Sequence, residues 1–135
     1  MAGPLTTATL TWTNDLQFDA RSGQTALSID SRGIAGPSPV EALALAIAGC
    51  MGIDVVDIVK KGRHPLDGLV VTLNAERAPE PPRRFVNVVL HFTVKGNVPT
   101  AALERALQLS RDKYCSVWQT LRQDLPLTTT YEVQP

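Results

Sequence analysis

Two cysteines are the residues best equipped for chemistry in this chain: Cys50, within GPSPVEALALAIAGCMGIDVV, and Cys115, within RDKYCSVWQTL. A thiolate is a nucleophile and a redox centre whose reactivity depends on partial access and on nearby charge. Two thiols can also cycle through a disulfide, which in a reducing cytoplasm is transient and redox-active rather than structural. The plain alternative is packing, because a free cysteine often simply fills core space. Sequence separation does not decide whether the sulfurs meet; a disulfide needs Cα atoms about 5.5–6 Å apart. A zinc site from Cys50, Cys115, His64 and His91 is disfavoured, since no pair has ligand spacing. No phosphate loop, nucleotide fingerprint or Ser-His-Asp pattern is present.

The segment around Cys50 reads as a helix with defined ends. Ser38 is an N-cap, Pro39 suits the first helical position, Glu41 completes a capping box, and Gly62 stops the helix. On an ideal wheel, Leu43, Ala46, Ile47, Asp54, Asp57 and Lys61 fall within roughly 60° of Cys50. Its stripe is therefore apolar toward the N-terminus and charged toward the C-terminus. Met51, Gly52, Val55 and Val59 form another stripe, the expected permanent core. Cys50 is thus predicted at the edge between buried and polar surface, with Leu43, Ala46 and Ile47 lining an apolar approach to its sulfur. Asp54, one turn on, disfavours a thiolate unless a cation offsets it. Gly49 and Gly52 each cost roughly 1 kcal/mol of helix stability against alanine. They imply close approach of another backbone, either a helix or a second subunit. Cys115 is flanked by Arg111 and Lys113, in a stretch that also carries Tyr114 and Trp118.

The surrounding elements make an α+β protein. With 135 residues, the chain is expected to be a single domain, 1–135. Thirteen basic residues balance thirteen acidic ones, so no net field favours nucleic acid or an anionic membrane. The first residues carry no basic-then-apolar leader, and the run Ala42 to Ile53 falls short of the about 20 apolar residues that span a bilayer. A cytoplasmic protein without nucleic-acid or membrane partners is the expectation. TTATLTW, LQFDA and QTALSID read as a three-strand meander with turns at Asn14-Asp15 and Ser22-Gly23. After the helix come strands from Leu69 to Ala78 and from Phe85 to Gly96, the latter alternating to face a core. A helical stretch from Pro99 or Thr100 follows, with a break near Ser110–Lys113, and PLTTTYEVQ closes as a strand. The order is βββ-α-ββ-α-α-β.

Taken together, the SPVEALALAIAGC helix and the KYCSVWQTL motif resemble the OsmC/Ohr family, the osmotically inducible and organic-hydroperoxide-resistance proteins, and are most similar to an OsmC-like branch. The resemblance covers essentially the whole chain. It implies antiparallel sheets wrapped around central helices in an intertwined homodimer, with two active sites at the subunit interface. It also implies reduction of organic hydroperoxides by Cys50 as the peroxidatic and Cys115 as the resolving cysteine. The reductant would be a lipoyl-type or thioredoxin-type dithiol, and no metal, haem, flavin or other cofactor would be required. The family's reductases pair an arginine with a glutamate that directly follows the helix-start proline. Here that position is Val40, and Glu41 is one residue on. Glu41 falls on the far side of an ideal helix from Cys50, on the order of 13 Å along the axis, which favours its capping role. Arg21 is the best match for the arginine and Arg32 the alternative. A second reading is an OsmC-like dimer that binds a small apolar ligand at its interface, with sensing or non-catalytic thiols.

Overall fold

The computed structural model describes residues 3–135. Two compact units divide the chain, Met1–Leu43 and Ala44–Pro135. In the first, three short strands form the expected antiparallel meander: β1 (Ala8–Asn14), β2 (Gln17–Ser22) and β3 (Thr25–Asp30), in that spatial order. The turns fall where the sequence places them. Asp15 and Gly23 adopt left-handed backbone at φ 47° and 58°, which Gly takes freely and Asp more readily than most residues. This sheet carries little core of its own. β1 is exposed along its whole length, and Trp12 retains 65% of its surface.

The loop after β3 is organised by Asp30. Its buried carboxylate accepts N–H bonds from Arg32 (3.0 Å), Ile34 (3.3 Å) and Ala35 (3.0 Å). Those donors, Ala35 foremost, hold its pKa below the usual carboxylate value. Gly36 is required at its position because a Cβ would lie 1.9 Å from the Ser28 carbonyl oxygen. The loop delivers the chain to helix α1 (Pro39–Lys61). The capping box forms as expected: Glu41 N–H donates to Ser38 Oγ (3.2 Å), and Ser38 N–H donates to Glu41 Oε1 (3.0 Å).

From Ala44 onward α1 belongs to the second unit. Its predicted core stripe is buried: Met51, Gly52, Val55 and Val59, joined by Ile47. Gly52 permits close packing, since a Cβ there would meet Val71 Cγ2 at 3.2 Å. Gly49 differs, because its missing Cβ faces open space. By length and composition α1 would suffice to cross a bilayer. The apolar run continues past Ile53 through Val55, Val56, Ile58 and Val59, so shortness does not exclude a span. What marks α1 as a packed helix is its buried face and the hydrogen bond that its central Asp54 accepts from Ser110 (2.7 Å).

Behind α1 the second sheet has the order β4 (Gly68–Arg77), β5 (Phe85–Lys95), β6 (Leu127–Gln134). Val88, Leu90, Phe92 and Val94 alternate into the core, the period of a half-buried strand. β4 pairs antiparallel with β5, whereas β6 pairs parallel with it. The sheet is therefore mixed rather than antiparallel throughout. The cause lies in the connection: α2 (Thr100–Leu109), one π turn (Ser110–Tyr114) and α3 (Ser116–Thr120) separate β5 from β6. A crossover of that length returns the chain to the same end of the sheet, as parallel pairing demands. His91 lies on the opposite face of β5 from the core residues, with Nδ1 2.7 Å from Thr130 Oγ1.

Candidate active site

The break anticipated near Ser110–Lys113 is the element that places the second thiol. α2 ends in one π turn, whose i+5 hydrogen bond runs from Cys115 N–H to the Ser110 carbonyl (2.8 Å). π turns insert one extra residue per turn and recur at functional sites. Cys115 follows with extended backbone (φ −75°, ψ 97°) and acts as the N-cap of α3, its sulfur accepting the Trp118 N–H at 3.3 Å. The same turn points Ser110 inward, where its hydroxyl donates to Asp54 Oδ2 (2.7 Å). Asp54 stands one helical turn after Cys50 on α1, so the two share a face.

These elements bring Cys50 Sγ, a carboxylate oxygen of Asp54 and Cys115 Sγ within 4.8 Å of one another. Both cysteines are free; Cys50 is half-buried and Cys115 fully buried. That asymmetry suits a division of labour between an accessible sulfur and a protected one. Burial foremost, with Cys50 and Asp54 adding to it, pushes the Cys115 thiol up to about 11, against the Trp118 amide, which favours the anion. A cleft of 540 Å³ opens beside Asp54, with Ile58, Leu109, Tyr114 and Arg105 among its walls.

The other residues singled out from sequence fall in varied environments. Ile47 is sealed in the core, while Ala46 is exposed. Leu43, Arg21 and Glu41 belong to the first unit. There Arg21 is an exposed residue of β2 paired with Thr9 and Ala26, and Glu41 is engaged in the capping box. Arg32 lies in the loop held by Asp30. Neither histidine joins the thiols. Sequence reasoning found Asp54 only as an electrostatic neighbour of Cys50 and missed Ser110 altogether.

The raised Cys115 value sets an expected order of labelling. In the reduced protein at pH 8, iodoacetamide should modify Cys50 first and Cys115 slowly. Cys115 reaction should climb as pH rises toward about 11. Mass spectrometry of the two peptides over a pH series checks this, and equal labelling at pH 8 would contradict the protected state of Cys115.

A family model described as OsmC-like protein matches residues 30–130. Protein YhfA of Escherichia coli K12 is 40% identical over 129 residues, which span 93% of this chain and 96% of that protein. Among solved structures, a hypothetical protein from Aquifex aeolicus VF5 superposes with a TM-score of 0.90 at 26% identity, covering 98% of both chains. An organic hydroperoxide resistance protein from Elizabethkingia anophelis shares the fold at a TM-score of 0.68 and 16% identity, over 98% of this chain and 99% of that one.

Proposed function

Because this chain belongs to the OsmC-like protein family, we propose that it is a cytoplasmic thiol peroxidase that reduces organic hydroperoxides. The observation that carries this reading is the meeting of Cys50 and Cys115, far apart in sequence, across α1 and the π turn. A fold neighbour bears the name of an organic hydroperoxide resistance protein, which points the same way.

The chemistry runs in three steps. The Cys50 sulfur attacks the terminal peroxide oxygen, the O–O bond breaks, and the alkoxide leaves as an alcohol after taking a proton; Cys50 becomes a sulfenic acid. Cys115 sulfur then attacks Cys50 sulfur, the S–O bond breaks, and water departs, leaving a disulfide. A dithiol of lipoyl or thioredoxin type reduces that bond by exchange. Each oxidative step moves a proton from a thiol to a departing oxygen. Asp54 is placed to carry it, and Ser110 fixes the carboxylate. Beside a thiol that must give up its proton, the Asp54 carboxylate serves as acceptor rather than only opposing the thiolate.

Steady-state kinetics with a dithiol reductant test the reading. Ile58, Leu109 and Tyr114 beside Asp54 favour an apolar tail, at about 0.8 kcal/mol per buried methylene. Catalytic efficiency with cumene hydroperoxide should exceed that with hydrogen peroxide by at least about tenfold, or about 1.4 kcal/mol of transition-state binding. Equal efficiencies would remove the apolar approach. No turnover with either would move the reading to an interface that binds an apolar ligand.

The working unit in this proposal is a homodimer. An apolar groove of 780 Å³ runs along α1 past Leu45, Gly49, Gly52 and Ile53 to Leu69 and Val71. Ile53 keeps 70% of its surface in the single chain, and Gly49 leaves room for a close backbone. A second copy of α1 supplies the matching face. Sedimentation velocity at micromolar concentration should give a dimer, and Ile53→Asp should dissociate it. A stable wild-type monomer would contradict the assembly.

A further inference from the structure

Two thiols and a carboxylate that converge within 4.8 Å are also a set of metal ligands. We propose that reduced Cys50, Cys115 and Asp54 form a binding site for a soft divalent cation, Zn²⁺, whose occupancy competes with peroxide for the same sulfurs. Metal binding stands on the geometry alone; the competition rests on the peroxidase reading.

The donor set and its spacing fit. Zinc holds thiolate sulfur at about 2.3 Å and carboxylate oxygen at about 2.0–2.2 Å, so tetrahedral ligands lie roughly 3.5–3.8 Å from one another. The three atoms need to close by on the order of 1 Å at most to reach that arrangement. Cys50 and Asp54 are presented one turn apart on a single face of α1, the helical spacing that lets two side chains share an ion. The third ligand arrives from the residue after the π turn. Two thiolates select Zn²⁺ over the hard cations Mg²⁺ and Ca²⁺.

The surroundings already resemble the outer shell of such a site. Ser110 donates to Asp54 Oδ2, orienting the carboxylate. The Trp118 amide donates to Cys115 Sγ, the kind of bond that steadies a thiolate ligand. With three protein ligands, and with Cys50 and Asp54 half-exposed, the fourth position faces water.

Binding is balanced as one Zn²⁺ taken up, two thiol protons released and the carboxylate coordinated as its anion. Oxidation of the pair to a disulfide removes both thiolate ligands and expels the metal. Conversely, bound zinc engages the electron pairs that attack peroxide.

Titration of the reduced, anaerobic wild-type protein with Co²⁺ tests the site through its spectrum. One equivalent per chain should bring a thiolate-to-cobalt charge-transfer band and tetrahedral d–d bands, both erased by one equivalent of Zn²⁺ and untouched by Mg²⁺. Cys50→Ser and Cys115→Ser should each cut the charge-transfer intensity by about half and weaken binding at least about tenfold. Asp54→Asn should weaken binding at least about tenfold while the charge-transfer band persists. Ser110→Ala should weaken it about tenfold through the loosened carboxylate. Zinc-loaded protein should resist cumene hydroperoxide until a chelator is added. The absence of a charge-transfer band in wild type, which needs no variant to fold, would overturn the proposal. A band unchanged in either cysteine variant, or an affinity unchanged in Asp54→Asn, would overturn it equally. A chain that binds cobalt in this way yet consumes no peroxide loses only the peroxidase reading. One that turns over peroxide at the same rate with and without zinc loses the competition.

Discussion

Cys50→Ser is expected to abolish hydroperoxide consumption, lowering the rate at least about a thousandfold, or more than about 4 kcal/mol of barrier. The serine hydroxyl keeps the volume of the thiol but is a far weaker nucleophile at neutral pH, and Asp54 alone does not compensate. Because Cys50 is half-buried on a helix rim rather than in the packed stripe of Met51, Val55 and Val59, the exchange should leave folding intact. Circular dichroism and a thermal melt beside the peroxide assay separate the two effects. Retained turnover would remove Cys50 as the attacking group.

Removal of the partner thiol should have a different kinetic signature. Cys115→Ser is expected to consume about one equivalent of cumene hydroperoxide and then stall, with steady-state turnover at least about a hundredfold lower. In the proposed cycle the first step uses the Cys50 sulfur alone of the two, the second needs another sulfur within reach, and Cys115 Sγ lies within 4.8 Å of Cys50 Sγ. Without it the sulfenic acid meets further peroxide and climbs to sulfinic acid, which a dithiol does not reverse. Intact-mass spectra should therefore show one added oxygen, then two, on the Cys50 peptide. Cys115 also caps α3 through the Trp118 amide, and serine preserves that cap. Unchanged multiple turnover in this variant would assign resolution to the external reductant.

Local signals carried most of the architecture. The capping box at Ser38 and Glu41, the buried Met51–Val55–Val59 stripe and the alternation of β5 each depend on residues a few positions apart, and each formed as read. The family membership was legible for a similar reason, in two short motifs around the cysteines. The parallel pairing of β6 was not legible, because a half-buried strand has the same pattern whichever way its neighbour runs. Nor was the sealing of Ile47, since a helix wheel assigns faces but not what covers them. The break at Ser110–Lys113 was visible as a break. That it is a π turn, and that it turns Ser110 onto an aspartate 56 residues earlier, depends on long-range packing that no local pattern encodes.

The central claim is that Cys50 and Cys115 are redox partners within one chain. Reduced protein exposed to one equivalent of cumene hydroperoxide, quenched by alkylation and mapped without reduction by mass spectrometry, tests it most directly. A Cys50–Cys115 cross-linked peptide should form as the peroxide disappears and be lost on addition of a dithiol. Two free thiols after the peroxide has been consumed, or disulfides only between different molecules, would contradict it.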